Sequence, residues 1–442
     1  MVRRRAQRAP EPEITVEIGD LGHDGRGVAR VDGKAMFVTD ALPGETVRAR
    51  RTQRHRHFDE AELVAVEIAS PERVTPPCPH FGVCGGCVLQ HLSTDGQIAS
   101  KQNVLQENLA RIGKLEPTAW LPALRGDEWG YRRRGRLSAR YVDKKQRLLL
   151  GFRERNGKYV ADLQTCLVAV PAIGMHLRVL AEALGELSIA RQVPQVEFAS
   201  GDTGSAIVIR HLQALSDPDR ARLSRFGLET GIVVLLQPSG PDSVVTLDGT
   251  RPNLEFTVDG GNVRLAFEPL DFVQVNASIN EGMIAHALAL LDPQPHERAL
   301  DLFCGLGNFT LPLARRCAQV VGVEGDRKLV ARARANAVRN NIENASFEIA
   351  DLFAAPGQAH WACNDFDLML LDPPRAGAQE VLSLLPGKRV RRVVYVSCHP
   401  ASLARDAAIL CERHGFRLSS AGVMDMFPHT AHVESIAVFD RN

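Results

Sequence analysis

The stretch Asp301-Leu-Phe-Cys-Gly-Leu-Gly-Asn-Phe309 joins a predicted β-strand, 299–303, to a predicted helix, 308–317. Its two glycines let the backbone turn tightly and approach a ligand closely. Beyond this turn, the hydrophobic pattern predicts a helix at 326–340 and strands at 320–323, 346–349, 368–371, 393–397 and 435–439. Strands that alternate with helices indicate a doubly wound, mostly parallel sheet, which binds its ligands beyond the carboxyl ends of the strands.

Acidic residues follow three successive strands of this predicted sheet: Glu324, Asp351 and Asp372. A carboxylate after the second strand can accept both hydroxyls of a ribose, and one after the third can address an adenine amino group. This arrangement is typical of an S-adenosylmethionine site. The same acids could be solvated loop residues or could serve NAD, but an NAD site has a third glycine where this chain has Phe309 and Thr310.

Cys398 directly follows the predicted strand 393–397, so we expect its thiol in the same crevice as Asp372. A thiolate that adds to carbon 6 of a uracil makes carbon 5 nucleophilic enough to accept a methyl group. A base must then remove the proton from carbon 5, and Glu434 is the candidate. An isolated cysteine is more often a buried small side chain without a chemical role, but the adjacent methyl-donor site favours a nucleophile.

Three motifs give the chain a recognisable family resemblance: Asp372-Pro-Pro-Arg-Ala-Gly377, Val394-Tyr-Val-Ser-Cys398 and Met424-Asp-Met-Phe-Pro-His-Thr-Ala-His-Val-Glu434. They resemble the signatures of the bacterial RNA uracil-C5 methyltransferases. The resemblance implies that Cys398 is the nucleophile and Glu434 the proton acceptor. It also implies that S-adenosylmethionine contacts Gln274, Phe303, Asn308, Glu324, Asp351 and Asp372. His399 and Ser402 depart from the pattern, because the family usually has Asn and Thr there.

A second cluster of chemistry-bearing residues is Cys78, Cys84 and Cys87, spaced C-x5-C-x2-C. A closed zinc site or a cubane cluster needs four thiolates, and Cys166 is the best candidate for the fourth. Spacing alone does not separate zinc from iron–sulfur. The run resembles the [4Fe-4S] motif of the 23S rRNA uracil methyltransferases, which implies a cluster here. We favour a structural or RNA-ordering role, because the methylation chemistry needs no electron transfer.

The domain organisation follows from changes in pattern along the chain. We predict a disordered basic tail at 1–12 and about five short strands at 13–70, which resemble a TRAM domain, an OB-like RNA-binding barrel. A central mixed α+β domain with the iron–sulfur cluster is predicted at 71–90 and 125–268, including a helix near 172–188. A Rossmann-like methyltransferase domain is predicted at 91–124, with a helix at 97–115, and at 269–442. The expected fold class is therefore multidomain α/β.

The combination of barrel and cysteine cluster resembles the family type that methylates uracil 1939 of 23S rRNA, so 23S rRNA is the implied partner. The target base must leave its stack to reach Cys398. The net charge of the 442 residues is only +1, but arginines cluster at 3–8, 48–56 and 132–136. We expect those near 51 and 133 to hold the RNA backbone, although each cluster could instead be salt-bridged or solvated.

Cellular context follows from what the sequence lacks. It has nine cysteines, an odd number, no secretory signal and no apolar run long enough to span a membrane. We therefore expect a monomer in the reducing cytoplasm. Four alternatives remain: methylation at carbon 5 of another rRNA or tRNA uracil, methylation at carbon 5 of an RNA cytosine, a non-catalytic RNA-binding assembly factor, and an iron–sulfur redox sensor.

Overall fold

The computed structural model describes residues 11–155, 157–354, 360–363, 365–383 and 389–441. The described chain divides into two compact units. The first comprises 11–82, 86–100 and 429–431, and the second comprises 83–85, 101–428 and the residues from 432 onward. Residues 1–10 of the predicted basic tail lie outside the described residues. Among the described residues, no helix combines the length and the apolar composition needed to cross a bilayer.

The first unit contains one six-stranded sheet. Its strands are β1 (Glu13–Glu17), β2 (Asp20–Leu21), β3 (Gly27–Val31), β4 (Lys34–Thr39), β5 (Thr46–Arg54) and β6 (Phe58–Ile68). Their spatial order is β1-β5-β6-β4-β3-β2. Side chains alternate between the two faces of β5. Val47 and Ala49 are therefore fully buried, whereas Arg48 and Arg50 lie on the opposite face.

Helix α1 (Thr94–Asn108) leads from the first unit into the second, and β7 (Ala119–Trp120) follows it. The central sheet of the second unit has the order β13-β12-β11-β10-β8-β9. Its strands are β8 (Arg134–Val142), β9 (Arg147–Gly151), β10 (Gln195–Ser200), β11 (Ser205–Arg210), β12 (Val233–Gln237) and β13 (Val245–Thr246). Its helices are α2 (Pro171–Gly174), α3 (Leu177–Gly185) and α4 (Asp217–Thr230). The helix predicted near 172–188 is therefore present, but as two pieces.

A hairpin of β14 (Glu255–Val258) and β15 (Val263–Ala266) and the helix α5 (Ala277–Leu291) precede the last sheet. The strands that follow are β16 (Arg298–Leu302), β17 (Gln319–Glu324), β18 (Ala345–Ile349), β19 (Leu368–Leu371), β20 (Arg392–Ser397), β21 (Arg417–Met424) and β22 (Glu434–Asp440). The helices between them are α6 (Thr310–Ala314), α7 (Arg327–Arg339), α8 (Gln379–Leu382) and α9 (Pro400–His414).

The last sheet has eight strands in the order β18-β17-β16-β19-β20-β22-β21-β7. Strands β16 to β20 pair in parallel, whereas β22 is antiparallel to both β20 and β21. All four residues of β19 are fully buried, as expected for a parallel strand covered on both faces. The strand order reverses at β16, so a crevice for ligands opens between the carboxyl ends of β16 and β19.

The predicted strands from 299 to 439 are all present, within one or two residues at their ends. The helix predicted at 308–317 is shorter, because α6 begins only at Thr310 and ends at Ala314. Residues 303–309 form the turn that leads into it, and Phe303, Gly305 and Gly307 have positive φ angles of 63°, 55° and 96°. Such angles cannot continue a right-handed helix.

Candidate active site

The glycine turn after β16 is fixed by its own packing and by one carboxylate. A side chain at Gly307 would be strained by its φ angle, and its Cβ would come within 3.1 Å of Leu311 Cγ. The backbone N–H of Gly305 donates a hydrogen bond to Glu324 Oε2 over 3.1 Å. These contacts fix the conformation of the turn, which borders the crevice, and keep Glu324 beside it.

A cavity of about 600 Å³ lies in this crevice, within the size range of small-molecule sites. It brings together most of the residues predicted from the sequence: Gln274, Phe303, Asn308, Glu324, Asp372, Cys398 and Glu434. Its wall is mostly apolar, which suits an adenine ring and a methionine chain. The described residues therefore provide a site of the right size and chemistry for S-adenosylmethionine.

Asp351 is the one predicted cofactor residue that does not line the cavity. It is exposed, and its Oδ1 accepts a hydrogen bond from the backbone N–H of Phe353 over 2.9 Å. Phe353 lines the cavity in its place, with its ring 5.8 Å from the ring of Phe303. An adenine could lie against this aromatic pair.

Carboxylates at the base of the crevice are strongly perturbed. Burial raises the pKa of Asp372 to about 7, although Gln274 Nε2 donates a hydrogen bond to its Oδ2 over 3.1 Å. Burial also raises the pKa of Asp301 to about 7, and the charges of Asp372 and Glu324 add to the effect. Asp301 lies within β16, is fully buried and accepts a hydrogen bond from Thr310 Oγ1 over 2.5 Å. Sequence reasoning missed Asp301 because it is a strand residue rather than a loop residue.

Cys398 and Glu434 lie at the same end of two neighbouring strands. The register of β20 and β22 pairs Ser397 with Ser435; Cys398 directly follows Ser397, and Glu434 directly precedes Ser435. Both side chains line the cavity. Burial, with the charges of Glu434 and Asp372, raises the pKa of the Cys398 thiol to about 11. Burial and Asp372 also raise the pKa of Glu434 well above its usual value.

A buried ion pair anchors the segment of chain that leads to Glu434. Lys101 Nζ donates hydrogen bonds to Asp425 Oδ1 over 2.6 Å and to the carbonyl oxygen of Phe427 over 3.0 Å. The Lys101 and Asp425 side chains are only 3% and 4% exposed. The Tyr131 hydroxyl donates to the carbonyl oxygen of Pro428 over 3.1 Å. These contacts set the path of the chain toward Glu434.

Replacing Lys101 with methionine should lower the free energy of unfolding by about 3–5 kcal/mol, because it leaves the Asp425 carboxylate buried without its partner. Urea denaturation would measure the change. Lys144→Met is the matched control, since Lys144 is exposed and should tolerate the same substitution. Equal stability of the two variants would contradict a structural role for the ion pair.

Sequence reasoning also missed the edge of the cavity that carries two arginines, Arg132 and Arg375, beside His432. Arg375 Nη2 lies 2.9 Å from His432 Nδ1, which must accept this hydrogen bond. Burial and the positive charges of Arg375 and Arg132 lower the pKa of His432 to about 4, so the ring is neutral near pH 7. Arg132 also lies 5.9 Å above the ring of Phe427. Arg375 and His432 belong to the motifs quoted above, so the sequence did contain a signal for these two residues.

The arginines expected to hold RNA are less available than their number suggests. Four arginines of the first unit form ion pairs at 2.5–3.1 Å: Arg48 and Arg50 with Glu13, Arg50 also with Glu62, Arg51 with Asp59, and Arg54 with Glu11. On the second unit, Arg133 is 5% exposed and lies 4.7 Å above the ring of Phe256. The exposed arginines of these two clusters are Arg48, Arg54, Arg56 and Arg136, and all but Arg56 pair with a carboxylate among the described residues.

The four predicted metal ligands lie in loops. Cys84 and Cys166 belong to the second unit and pack against the same hydrophobic core, that of the central sheet. Cys78 and Cys87 belong to the first unit. A search of the described residues finds no group of three or more His, Cys, Asp or Glu side chains arranged to hold a metal ion.

Comparison with known proteins agrees with this geometry. A model described as tRNA (uracil-5-)-methyltransferase matches residues 94–355 and 358–442, and a TRAM domain model matches residues 12–64. The 23S rRNA (uracil(1939)-C(5))-methyltransferase RlmD of Stenotrophomonas maltophilia strain K279a is 57% identical over 442 residues, with 99% of each chain covered. The protein of the same description from Xanthomonas axonopodis pv. citri gives the same identity and coverage.

A solved structure extends the comparison to three dimensions. The crystal structure of Pyrococcus abyssi tRNA (uracil-54, C5)-methyltransferase in complex with S-adenosyl-L-homocysteine is 25% identical in sequence and aligns with a TM-score of 0.68. The alignment covers 96% of this chain and 100% of that chain. Together with the family models, these likenesses show that the chain belongs to the tRNA (uracil-5-)-methyltransferase family and contains a TRAM domain.

Proposed function

We propose that this chain transfers a methyl group from S-adenosylmethionine to carbon 5 of uracil 1939 in 23S rRNA, forming 5-methyluridine. The observation that carries the proposal is a full-length identity of 57% with enzymes of that description. The cavity adds independent support, because it contains a thiol and a carboxyl group beside a nucleotide-sized site. All of these side chains come from one chain, which supports action as a monomer. Ribosomal RNA as substrate supports action in the cytoplasm.

Gln274, Phe303, Asn308, Glu324 and Asp372 would hold S-adenosylmethionine, which supplies a methyl group bound to a positively charged sulfur. Glu324 would accept the ribose hydroxyls, and its fixed position beside Gly305 supports this role. Asn308 is locked by a reciprocal pair of amide hydrogen bonds with Asn280, at 2.8 and 3.1 Å. We keep Asp351 as a contact of the adenine amino group, since it precedes Phe353 at the cavity wall.

The chemistry that we propose for Cys398 begins with its thiolate, which adds to carbon 6 of the uracil and forms a C–S bond. The electron pair of the 5,6 double bond moves to carbon 5, which then takes the methyl group as its bond to the donor sulfur breaks. Glu434 removes the proton from carbon 5, the double bond reforms and the thiolate leaves. The raised pKa of Glu434 supports this role, because its carboxylate is a stronger base than usual.

The sheet of the first unit is proposed as the OB-like RNA-binding barrel of this enzyme. The match to the TRAM model at 12–64 supports this assignment. We also retain the division into 13–70, 71–90 with 125–268, and 91–124 with 269–442. The pairing of β7 with β21 supports it, because this pairing joins residues before 124 to the methyltransferase sheet.

A [4Fe-4S] cluster held by Cys78, Cys84, Cys87 and Cys166 remains a proposal for the central domain. Four thiols are the donor set that such a cluster requires. The shared packing of Cys84 and Cys166 against one core supports their membership in one site. We propose a structural role, because no step of the methylation requires an electron.

Cys166→Ser should remove most of the protein-bound iron and sulfide, because the cluster then keeps only three thiolate ligands. Iron and sulfide content after anaerobic purification would measure this loss. Cys411→Ser is the control, since Cys411 lies on α9 and belongs to none of the proposed sites. Iron content that is equal in both variants and the parent protein would remove Cys166 from the ligand set.

The function is tested by incubating the protein with methyl-labelled S-adenosylmethionine and unmodified 23S rRNA. Nuclease digestion and mass spectrometry then locate the labelled nucleoside. A single 5-methyluridine at position 1939 is expected. Label on another uracil would keep the chemistry and change the substrate, whereas 5-methylcytidine would overturn the proposed base. A protein with an intact cluster that binds this RNA without labelling it would be a binding factor.

A further inference from the structure

A second cavity, of about 330 Å³, lies on the central sheet and is lined mainly by polar side chains. Its polar lining includes Arg134, Arg136, Gln195, Glu197, Arg210 and Gln237. These residues come from four adjacent strands, and the registers place them together. Glu197 pairs with Arg136, while Arg210 pairs with both Gln195 and Gln237. Paired residues on neighbouring strands, and residues two apart along one strand, have their side chains on the same face of a sheet. One face of the central sheet therefore forms this cavity.

The charges of this cavity favour an anion. Three guanidinium groups face one carboxylate, that of Glu197, which is 7% exposed. Glu197 Oε1 accepts hydrogen bonds from Arg136 Nε over 3.2 Å and from Gln195 Nε2 over 2.9 Å. Its Oε2 lies 3.6 Å from Arg134 Nη2. Glu197 therefore orients two arginines without neutralising all three.

Two of the arginines that line the cavity keep donors without a partner among the described residues. The Nε atom of Arg134 is buried and has no hydrogen-bond partner among the described residues. Arg210 is exposed, and the described residues offer it no ion pair. Buried polar atoms are nearly always paired in native proteins, so an orphaned donor indicates a missing ligand or water. A guanidinium binds phosphate oxygens through two parallel N–H donors, which matches such a ligand.

The backbone connects this cavity to the catalytic one. Leu270 lines the second cavity, and its carbonyl oxygen accepts a hydrogen bond from Arg134 Nη2 over 2.7 Å. Phe272 and Gln274, a few residues further along the same segment, line the catalytic cavity. Two residues span at most about 7 Å of extended chain. The two cavities therefore border one short segment of chain, at a separation that neighbouring nucleotides of a single RNA strand can span.

We propose that the second cavity binds a phosphate of the substrate RNA adjacent to the methylated nucleotide. The proposal rests on the proposed function, since it takes the substrate to be RNA. The phosphate lies between Arg210 and Arg136. Glu197 holds Arg136 in place, and Glu197 and the carbonyl oxygen of Leu270 hold the neighbouring Arg134. Binding there fixes the position of the backbone on one side of the base that leaves its stack.

Arg210→Ala tests the proposal, together with Arg210→Lys, which keeps the charge, and Arg136→Ala. Arg220→Ala is the matched control, because Arg220 is an exposed arginine of α4 that lines neither cavity. Affinity for a 23S rRNA fragment is measured at several salt concentrations. Arg210→Ala should weaken binding about tenfold and reduce the slope of log K against log salt by about 0.7. Arg210→Lys should retain most of the slope, and KM for RNA should rise more than kcat falls.

The outcomes separate this proposal from the proposed function. If Arg210→Ala and Arg136→Ala keep the parent affinity and slope, the phosphate site is refuted, whatever the parent protein methylates. If the parent protein binds the fragment but does not methylate it, the function is refuted, and the slopes still decide the phosphate site. Binding of inorganic phosphate that is lost in Arg210→Ala, with RNA affinity unchanged, would assign the cavity to a free anion and overturn the proposal.

Discussion

Replacing Cys398 with alanine should abolish methylation of 23S rRNA, while the variant binds the RNA with nearly the affinity of the parent protein. Without the thiolate, no bond forms to carbon 6 and carbon 5 is not activated. The methylation rate should therefore fall by more than about 10⁴-fold. Single-turnover transfer of labelled methyl groups measures the loss, and a filter-binding assay measures the affinity.

Cys411→Ala is the matched control for this prediction, because it removes a thiol outside the catalytic cavity. It should methylate at the parent rate. Retained activity of Cys398→Ala would eliminate the covalent mechanism. Loss of RNA affinity in Cys398→Ala would instead point to a structural role for the residue.

Electrostatics add a constraint on the nucleophile. With a pKa of about 11, the Cys398 thiol is almost entirely protonated at neutral pH in the ligand-free protein. Burial is the main cause, Glu434 and Asp372 contribute when they are ionised, and Arg375 opposes them. A positively charged ligand in the same cavity favours the thiolate and lowers this pKa. We therefore expect the thiolate fraction of Cys398 to rise when the cavity holds a cationic ligand.

Much of the methyltransferase sheet could be predicted because its strands are buried on both faces. A four-residue apolar run between polar residues, such as 368–371, is consistent with few structures other than a buried strand. The antiparallel strand β21 (Arg417–Met424) was not predicted. Its alternation is broken by a bulge between Leu418 and Ser420, and two of its central residues are serines. Strand β7 has only two residues, which is too few to show the alternation of apolar and polar side chains that predicts a strand.

The grouping of Cys398, Glu434 and most of the proposed cofactor residues around one cavity could also be predicted, because strand ends carry them and parallel strands end at one edge. The misses have a different origin. Arg132 precedes the central sheet, more than a hundred residues before Phe303, and only tertiary folding brings it to the cavity. Asp351 follows β18 as expected, but its side chain is exposed at the turn, and Phe353, two residues later, is the aromatic side chain that the sequence did not place in the cavity wall. Side-chain direction within a loop is not encoded in residue spacing.

Glu434→Gln should accumulate a covalent protein–RNA adduct rather than release product. Addition of Cys398 and methyl transfer do not need the carboxylate, but elimination requires that the proton leave carbon 5. A glutamine amide cannot accept this proton. A band of protein linked to RNA should therefore persist on a denaturing gel, and it should carry the methyl label.

The adduct assay has an internal control, because the double variant Cys398→Ala, Glu434→Gln lacks the nucleophile and should give no band. Glu107→Gln, an exposed substitution on α1, should release product normally. Normal turnover by Glu434→Gln would assign the base to another group, and Asp372 would then be the nearest carboxyl group to test.

Misfolding is a poor explanation for a trapped adduct in this variant. Glu434 is 3% exposed, and its pKa lies well above the usual value, so the folded protein holds the carboxyl neutral over a wider pH range than the unfolded chain does. At neutral pH the unfolded chain gains stability by ionising this group, which opposes folding. A neutral glutamine of nearly the same shape removes that cost. Glu434→Gln should thus be at least as stable as the parent protein near pH 7, and its defect should appear in the release step alone.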